Sequence, residues 1–186
     1  MARCYSARMA KRQTNKRAAV PRIILLSDAR NDAALERALA RLTRGSALVF
    51  RHYHLPETER HMRFVALKRA AKARGIRMIG ARIPPGWGAD GVYGAATEIA
   101  GGTGLKLATA HSLAEIGAAR RAGADAVLLS PVFATRSHPG ATALGAVRFL
   151  LLARRSPLPV IALGGMTLRR AARLPVHGWA AIDGLV

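Results

Sequence analysis

The stretch Asp125-Ala126-Val127-Leu128-Leu129-Ser130-Pro131-Val132-Phe133-Ala134-Thr135-Arg136-Ser137-His138 decides how this chain is read. Its apolar run, Ala126 to Leu129, is too short for a solitary helix and is closed by small and polar residues. A continuous apolar run of that length is how a strand buried on both faces of a parallel sheet reads, and such strands carry function at their C-terminal ends. The runs on either side have the same form: one ends in His111-Ser112, and the other is Pro159-Val160-Ile161-Ala162-Leu163-Gly164-Gly165-Met166.

The run ending in His111-Ser112 is Leu105 to Ala110; working outward, Ile23 to Leu26, Ala47 to Phe50, Ile76 to Ile79, Gly91 to Gly94 and Ala180 to Ile182 read as further strands. Between them lie helix signals. Asn31 or Asp32 caps a helix from Ala33 to Leu42, closed by Gly45. Pro56 opens a basic helix reaching Arg74, with Met62, Val65, Ala66 and Ala70 as its buried stripe. Ser112-Leu113-Ala114-Glu115 is a capping box for a helix to Ala122, ended by Gly123. Leu144 to Arg154 and Thr167 to Ala172 complete the helices, while Ile83-Pro84-Pro85-Gly86-Trp87-Gly88 breaks both kinds of ladder. About eight strands alternating with helices or substitutes predict an α/β fold, a closed (β/α)8 TIM barrel, with an open flavodoxin-like sheet as the alternative. The sequence stops just after its last strand, so the barrel is expected to lack its final helix, leaving the N-terminal segment or another subunit to cover the gap.

Composition sets the class. The chain is 51% hydrophobic but only 5% aromatic, so one core of small aliphatic side chains is expected. Residues 1–21 contain Arg3, Arg8, Lys11, Arg12, Lys16 and Arg17 without an acid and read as a disordered basic tail before a barrel over 22–186. The single cysteine, Cys4, excludes a disulfide framework, and no apolar stretch is long enough to span a membrane, which together fit a cytoplasmic protein. With 30 Lys and Arg against 10 Asp and Glu, the formal charge of +20 favours anionic partners. Phosphorylated small molecules are the expected ones and nucleic acid is not, although a tail-driven nucleic-acid protein is a competing reading. Two backbone features could hold a phosphate: Gly164-Gly165 before a helix start, and Ile182-Asp183-Gly184 after the last strand.

His111-Ser112-x-x-Glu115, Gly123-Ala124-Asp125, Pro131-Val132-Phe133-x-Thr135-x-Ser137, Leu144-Gly145, Pro159 to Met166 and Gly178-x-Ala180-Ala181-Ile182 resemble, in order and spacing, the thiamine phosphate synthase and TenI family. Leu25-Leu26-Ser27-Asp28 and Gly88-Ala89-Asp90-Gly91-Val92-Tyr93 extend the likeness towards the N-terminus. The resemblance implies a (β/α)8 barrel and a transferase of thiamine biosynthesis. That reaction joins hydroxymethylpyrimidine pyrophosphate to thiazole phosphate and releases pyrophosphate, with Mg²⁺ as cofactor and cationic side chains neutralising the leaving group. It implies Thr109, Ser130, Thr135, Ser137, Gly164, Gly165, Ile182 and Asp183 as substrate- and phosphate-holding residues.

The departures lie at the other side of the barrel. The family's Gln-x-Arg-x-Lys falls on Phe50-Arg51-His52-Tyr53-His54, its Asn-Asp on Gly80-Ala81, and the lysine of its Thr-x-Thr-Lys loop on His138. His52, His54, Arg82 and His138 are therefore the expected catalytic cations, with Arg51 out of phase. Glu98 is the remaining candidate metal carboxylate. Histidine cations imply activity favoured on the acidic side. A TenI-type tautomerase carries a histidine where this chain has Pro131. The alternative is thus a TenI-like, non-synthase barrel that binds thiazole phosphate or another phosphorylated metabolite without metal-dependent transfer; either reading allows a homo-oligomer. His111 is read as a local structural contact, and His61 and His177 as surface residues.

Overall fold

A computed structural model describes residues 19–136, 140 and 142–186. Most of the basic tail, and the site candidates Ser137 and His138, lie outside the described residues. The strands are β1 (Ile23–Leu26), β2 (Ala47–Phe50), β3 (Arg77–Ala81), β4 (Gly91–Gly94), β5 (Leu105–Ala110), β6 (Ala126–Leu129), β7 (Val160–Ala162) and β8 (Gly178–Ala181). The helices are α1 (Leu35–Arg41), α2 (Glu57–Ala73), α3 (Ala96–Ile99), α4 (Leu113–Arg121), α5 (Gly145–Arg154) and α6 (Leu168–Ala171). The strands form a closed barrel in chain order, and β8 returns to pair in parallel with β1 through Ile24 and Ala180. That closure excludes the open sheet, which would leave two free edges.

Alternation along each strand splits the core into layers. Ile24, Leu26, Ala47, Val49, Ile79, Leu107, Leu128, Ile161 and Ala180 fill the barrel interior. Leu25, Leu48, Phe50 and Met78 face outward onto Leu35, Leu39, Phe64, Leu67 and Ala71 of α1 and α2. The other half of the outer layer sets Val127, Leu129 and Val160 against Ile116 and Phe149.

Of the stripe expected on α2, only Ala70 packs against the core. Its buried residues are Phe64, Leu67 and Ala71, while Met62 and Val65 stand 61% and 52% exposed. Phe64 sets the rotation because it meets Phe50 edge-on, ring centroids 5.3 Å apart. The capping box of α4 forms with one change: Ser112 accepts from the Glu115 N–H, but the Glu115 carboxylate accepts from the Ser112 hydroxyl and the His111 N–H rather than from the Ser112 N–H. Asn31 precedes its helix without capping it. Its side-chain amide instead spans the mouth, donating to the carbonyls of Leu26 (3.0 Å) and Ile182 (2.9 Å) and accepting from the Asp28 N–H (2.8 Å).

At the opposite end Val20 packs under the interior cluster, and its carbonyl receives His177 Nε2 at 3.1 Å, so His177 is a contact of the barrel floor. No helix follows β8 among the described residues; Leu185 packs there against both outer clusters. No helix of the described residues is long and apolar enough to cross a membrane.

Candidate functional site

The C-terminal ends of the strands open onto a cavity of about 850 Å³. Arg82, Glu98, Thr109, Ser130, Thr135, Gly164, Gly165, Ile182 and Asp183, all expected from sequence, line it. Arg51, Tyr53, Tyr93, His111, Arg136 and Arg170 line it as well.

The β7 and β8 side suits an anion. Gly164 and Gly165 adopt φ of 98° and 60°, and a Cβ at Gly164 would lie 2.7 Å from Pro131 Cα, so only glycine fits this turn. Their carbonyls are occupied, Gly164 by the Phe133 N–H (3.1 Å) and Gly165 by the Arg170 guanidinium. Among the described residues, the N–H groups of Gly164, Gly165, Asp183 and Gly184 are not spent on main-chain pairing. Unspent amides beside cationic side chains are what a phosphoryl group requires. Arg170 lies 4.6 Å over the Phe133 ring, and Arg136 reaches Asp183 at 3.4 Å.

The β2 and β3 side corrects the expectation most. Val49 belongs to the interior and Phe50 to the outer layer, so Arg51 points inward and His52 outward. His52 is buried, stacked on Phe50 with centroids 4.5 Å apart, with Nδ1 2.8 Å from Ser27 Oγ and Nε2 2.8 Å from Asp32 Oδ1. Ser27 Oγ accepts the Arg51 N–H at 2.8 Å, so the Ser27 hydroxyl donates to Nδ1 and the ring donates from Nε2 to Asp32. His54 also falls outside the cavity lining, its ring 5.4 Å from that of His52. Neither histidine lines the cavity.

Burial pushes the His52 imidazole below its ordinary 6.5, and the Asp32 bond offsets only part of this. The unfolded chain therefore binds more protons just below pH 6.5, so stability is complete above about 6.5 and falls as pH drops through the folded value. The mouth and helix carboxylates Asp28, Asp32, Glu36 and Glu98 all sit below their ordinary 3.8 or 4.5, and their stabilisation fades only under those values. Denaturant midpoints measured between about pH 7.5 and 5.5 are expected to fall for the native chain and to stay flatter for His52→Gln. A native midpoint that rises with acid would contradict a buried neutral ring.

Cations at this side come from Arg51 and Arg82. Arg60, from α2, donates to the carbonyls of Arg51 (2.9 Å), Ala81 (2.7 Å) and Arg82 (3.0 Å), tying the ends of β2 and β3 together. The guanidiniums of Arg51, Arg60 and Arg82 lie 5.6, 5.4 and 5.6 Å from the Tyr53 ring centre. His52 and Arg82 hold φ of 34° and 49°, a strained backbone for side-chain-bearing residues, at the same corner. Burial raises the Tyr93 hydroxyl to about 12, so it stays protonated.

The carboxylates do not suit Mg²⁺. Glu98 gives Oε1 to Arg82 (2.5 Å) and Oε2 to the Ala95 N–H (2.7 Å). Asp28 faces Arg30 and Arg51, and Asp183 faces Arg30 and Arg136. Among the described residues, no group of three or more His, Cys, Asp or Glu is arranged to hold a metal ion. A hard dication needs several oxygen ligands, and these are committed to arginines.

Residues 23–185 match the family model described as thiamine monophosphate synthase. The chain belongs to this family. A relative from Aquifex aeolicus (strain VF5), named "Putative thiamine-phosphate synthase 2", is 36% identical over 77 residues, and the match spans 41% of this chain and 41% of that protein. The thiamine phosphate pyrophosphorylase from Pyrococcus furiosus superposes with a TM-score of 0.73 at 23% identity, over 87% of this chain and 85% of that one. The thiamine phosphate pyrophosphorylase from Bacteroides thetaiotaomicron gives 0.58 at 15% identity, over 88% and 82%. At such identities the two structures carry the fold alone.

Proposed function

We propose that the barrel joins hydroxymethylpyrimidine pyrophosphate to thiazole phosphate, with arginines in place of carboxylate-held metal at the pyrophosphate. The observation that carries this reading is one cavity with two cationic ends: the Gly164-Gly165 turn with Arg136 and Arg170, and the Arg51–Arg82 corner. The thiazole phosphate is held at the first end, its ring nitrogen directed at the pyrimidine methylene carbon. The carbon–oxygen bond to pyrophosphate breaks, the nitrogen lone pair forms the carbon–nitrogen bond, and pyrophosphate leaves against Arg51 and Arg82. Arg60 holds both of their main chains in place, so little rearrangement is needed as charge develops.

A second reading has its own observation. Each mouth carboxylate is already paired with an arginine, which supports a barrel that binds thiazole phosphate without transferring anything to it. Titration calorimetry with thiazole phosphate, followed by a pyrophosphate-release assay with and without chelator, separates the two. Release that survives EDTA is the expected result. Binding without release selects the second reading, and no binding of either substrate rejects both.

A further inference from the structure

The transfer as written moves no proton, so it gives an imidazole at the mouth no acid or base to act on. His111 is nonetheless fixed there by two short bonds, with the Ser130 hydroxyl a further 3.5 Å contact at Nδ1. Its main-chain N–H donates to Glu115 Oε2 at 3.0 Å, and its Nδ1 lies 2.7 Å from the Ser130 carbonyl oxygen. A carbonyl only accepts, so Nδ1 carries a proton, and of the two neutral tautomers this contact selects the one whose lone pair is at Nε2. Nε2 has no partner among the described residues, and His111 lines the cavity. Leu105 and Leu107 face the interior, so Thr109 and His111 continue the same face of β5 into the mouth.

β5 stands between the arginine corner at β2 and β3 and the glycine turn after β7. A ring suspended between two anion-holding ends must turn an edge towards it. Phe50, at the end of β2, faces the helices and offers no polar group to that edge. We propose that His111 Nε2 accepts an N–H of the ring that carries the pyrophosphate, the exocyclic amine of the aminopyrimidine, and that His111 thereby sets specificity for an amino-substituted ring. This rests on the transferase reading. The Ser130 carbonyl is the device behind it, because it fixes the tautomer that accepts.

The test compares the aminopyrimidine pyrophosphate with its deamino analogue and with inorganic pyrophosphate, using the full chain and its His111→Leu and His111→Gln variants. The native chain is expected to bind the amino compound about 10-fold more tightly than the deamino one, the scale of one neutral hydrogen bond. His111→Leu should bring the two within about two-fold while leaving inorganic pyrophosphate affinity unchanged, and His111→Gln, which keeps an acceptor, should retain part of the preference. Equal binding of both compounds by the native chain, or an undiminished preference in His111→Leu, overturns the assignment and leaves the transferase reading standing. Failure of the native chain to bind any of the three overturns both.

Discussion

Replacing Arg51 by methionine is expected to lower the turnover of pyrophosphate release by about 10²- to 10³-fold, the usual effect of removing one donor aimed at developing charge. Arg82→Met should cost less, about 10-fold, and the difference follows from geometry. The Arg51 side chain is 23% exposed and meets its nearest carboxylate, on Asp28, only at 3.9 Å, so it is less neutralised than Arg82. Arg82 is 68% exposed and already sits 2.5 Å from Glu98, so water and that carboxylate screen it. The loss at Arg51 should fall on kcat more than on KM, because charge on the leaving oxygen is greatest in the transition state. Folding should survive, since Asp28 keeps Arg30 at 2.9 Å when Arg51 is gone. Steady-state release assays on the two variants decide the matter. If Arg51→Met turns over as the native chain does, the inward arginine is not the leaving-group partner.

The same residue shows where the sequence stops being legible. Strands such as Ala126 to Leu129 can be read directly because both faces are buried and the run is apolar throughout. That property also erases phase: in Ala47-Leu48-Val49-Phe50 every residue is apolar, and nothing local tells which side chains enter the barrel. Matching a family motif to this run therefore assigns the mouth to His52 and His54, whereas packing of Val49 inside and Phe50 outside assigns it to Arg51. Helix α2 misleads for a related reason. Its apolar residues support two stripes, and the choice is made by Phe64 meeting Phe50 and Trp87 across the layer. The glycine turn after β7 is readable because φ of 98° and 60° demands glycine, and the demand is written in the chain as Gly164-Gly165. His111 is legible as a structural contact on one nitrogen. That the residue also lines the cavity becomes visible only once β5 is placed beside β6.

Asn31 is the clearest case of a residue whose local reading hides its use, and its replacement carries the largest expected loss of stability. Its amide bridges the carbonyls of Leu26, in the first strand, and of Ile182, just past the last strand and 151 residues away from Asn31. The barrel must be closed between these two strands, and no helix follows β8 among the described residues to brace the seam from outside. Asn31→Leu removes both donated bonds and the one accepted from Asp28, and leaves buried carbonyls without partners. About 2–4 kcal/mol of destabilisation is expected, from unsatisfied groups at roughly 1–3 kcal/mol each. Asn31→Asp is nearly isosteric but turns the donor into a carboxylate facing two carbonyl oxygens, so it should lose at least as much at neutral pH and recover in part when protonated. Both variants should also weaken phosphate binding, because the Ile182 carbonyl positions the Asp183-Gly184 amides next to it. Denaturant unfolding and phosphate titration on the same samples measure the two effects. A native midpoint in Asn31→Leu would mean that the β1–β8 ladder closes the barrel unaided. Lost stability with unchanged phosphate affinity would detach the seam from the anion site.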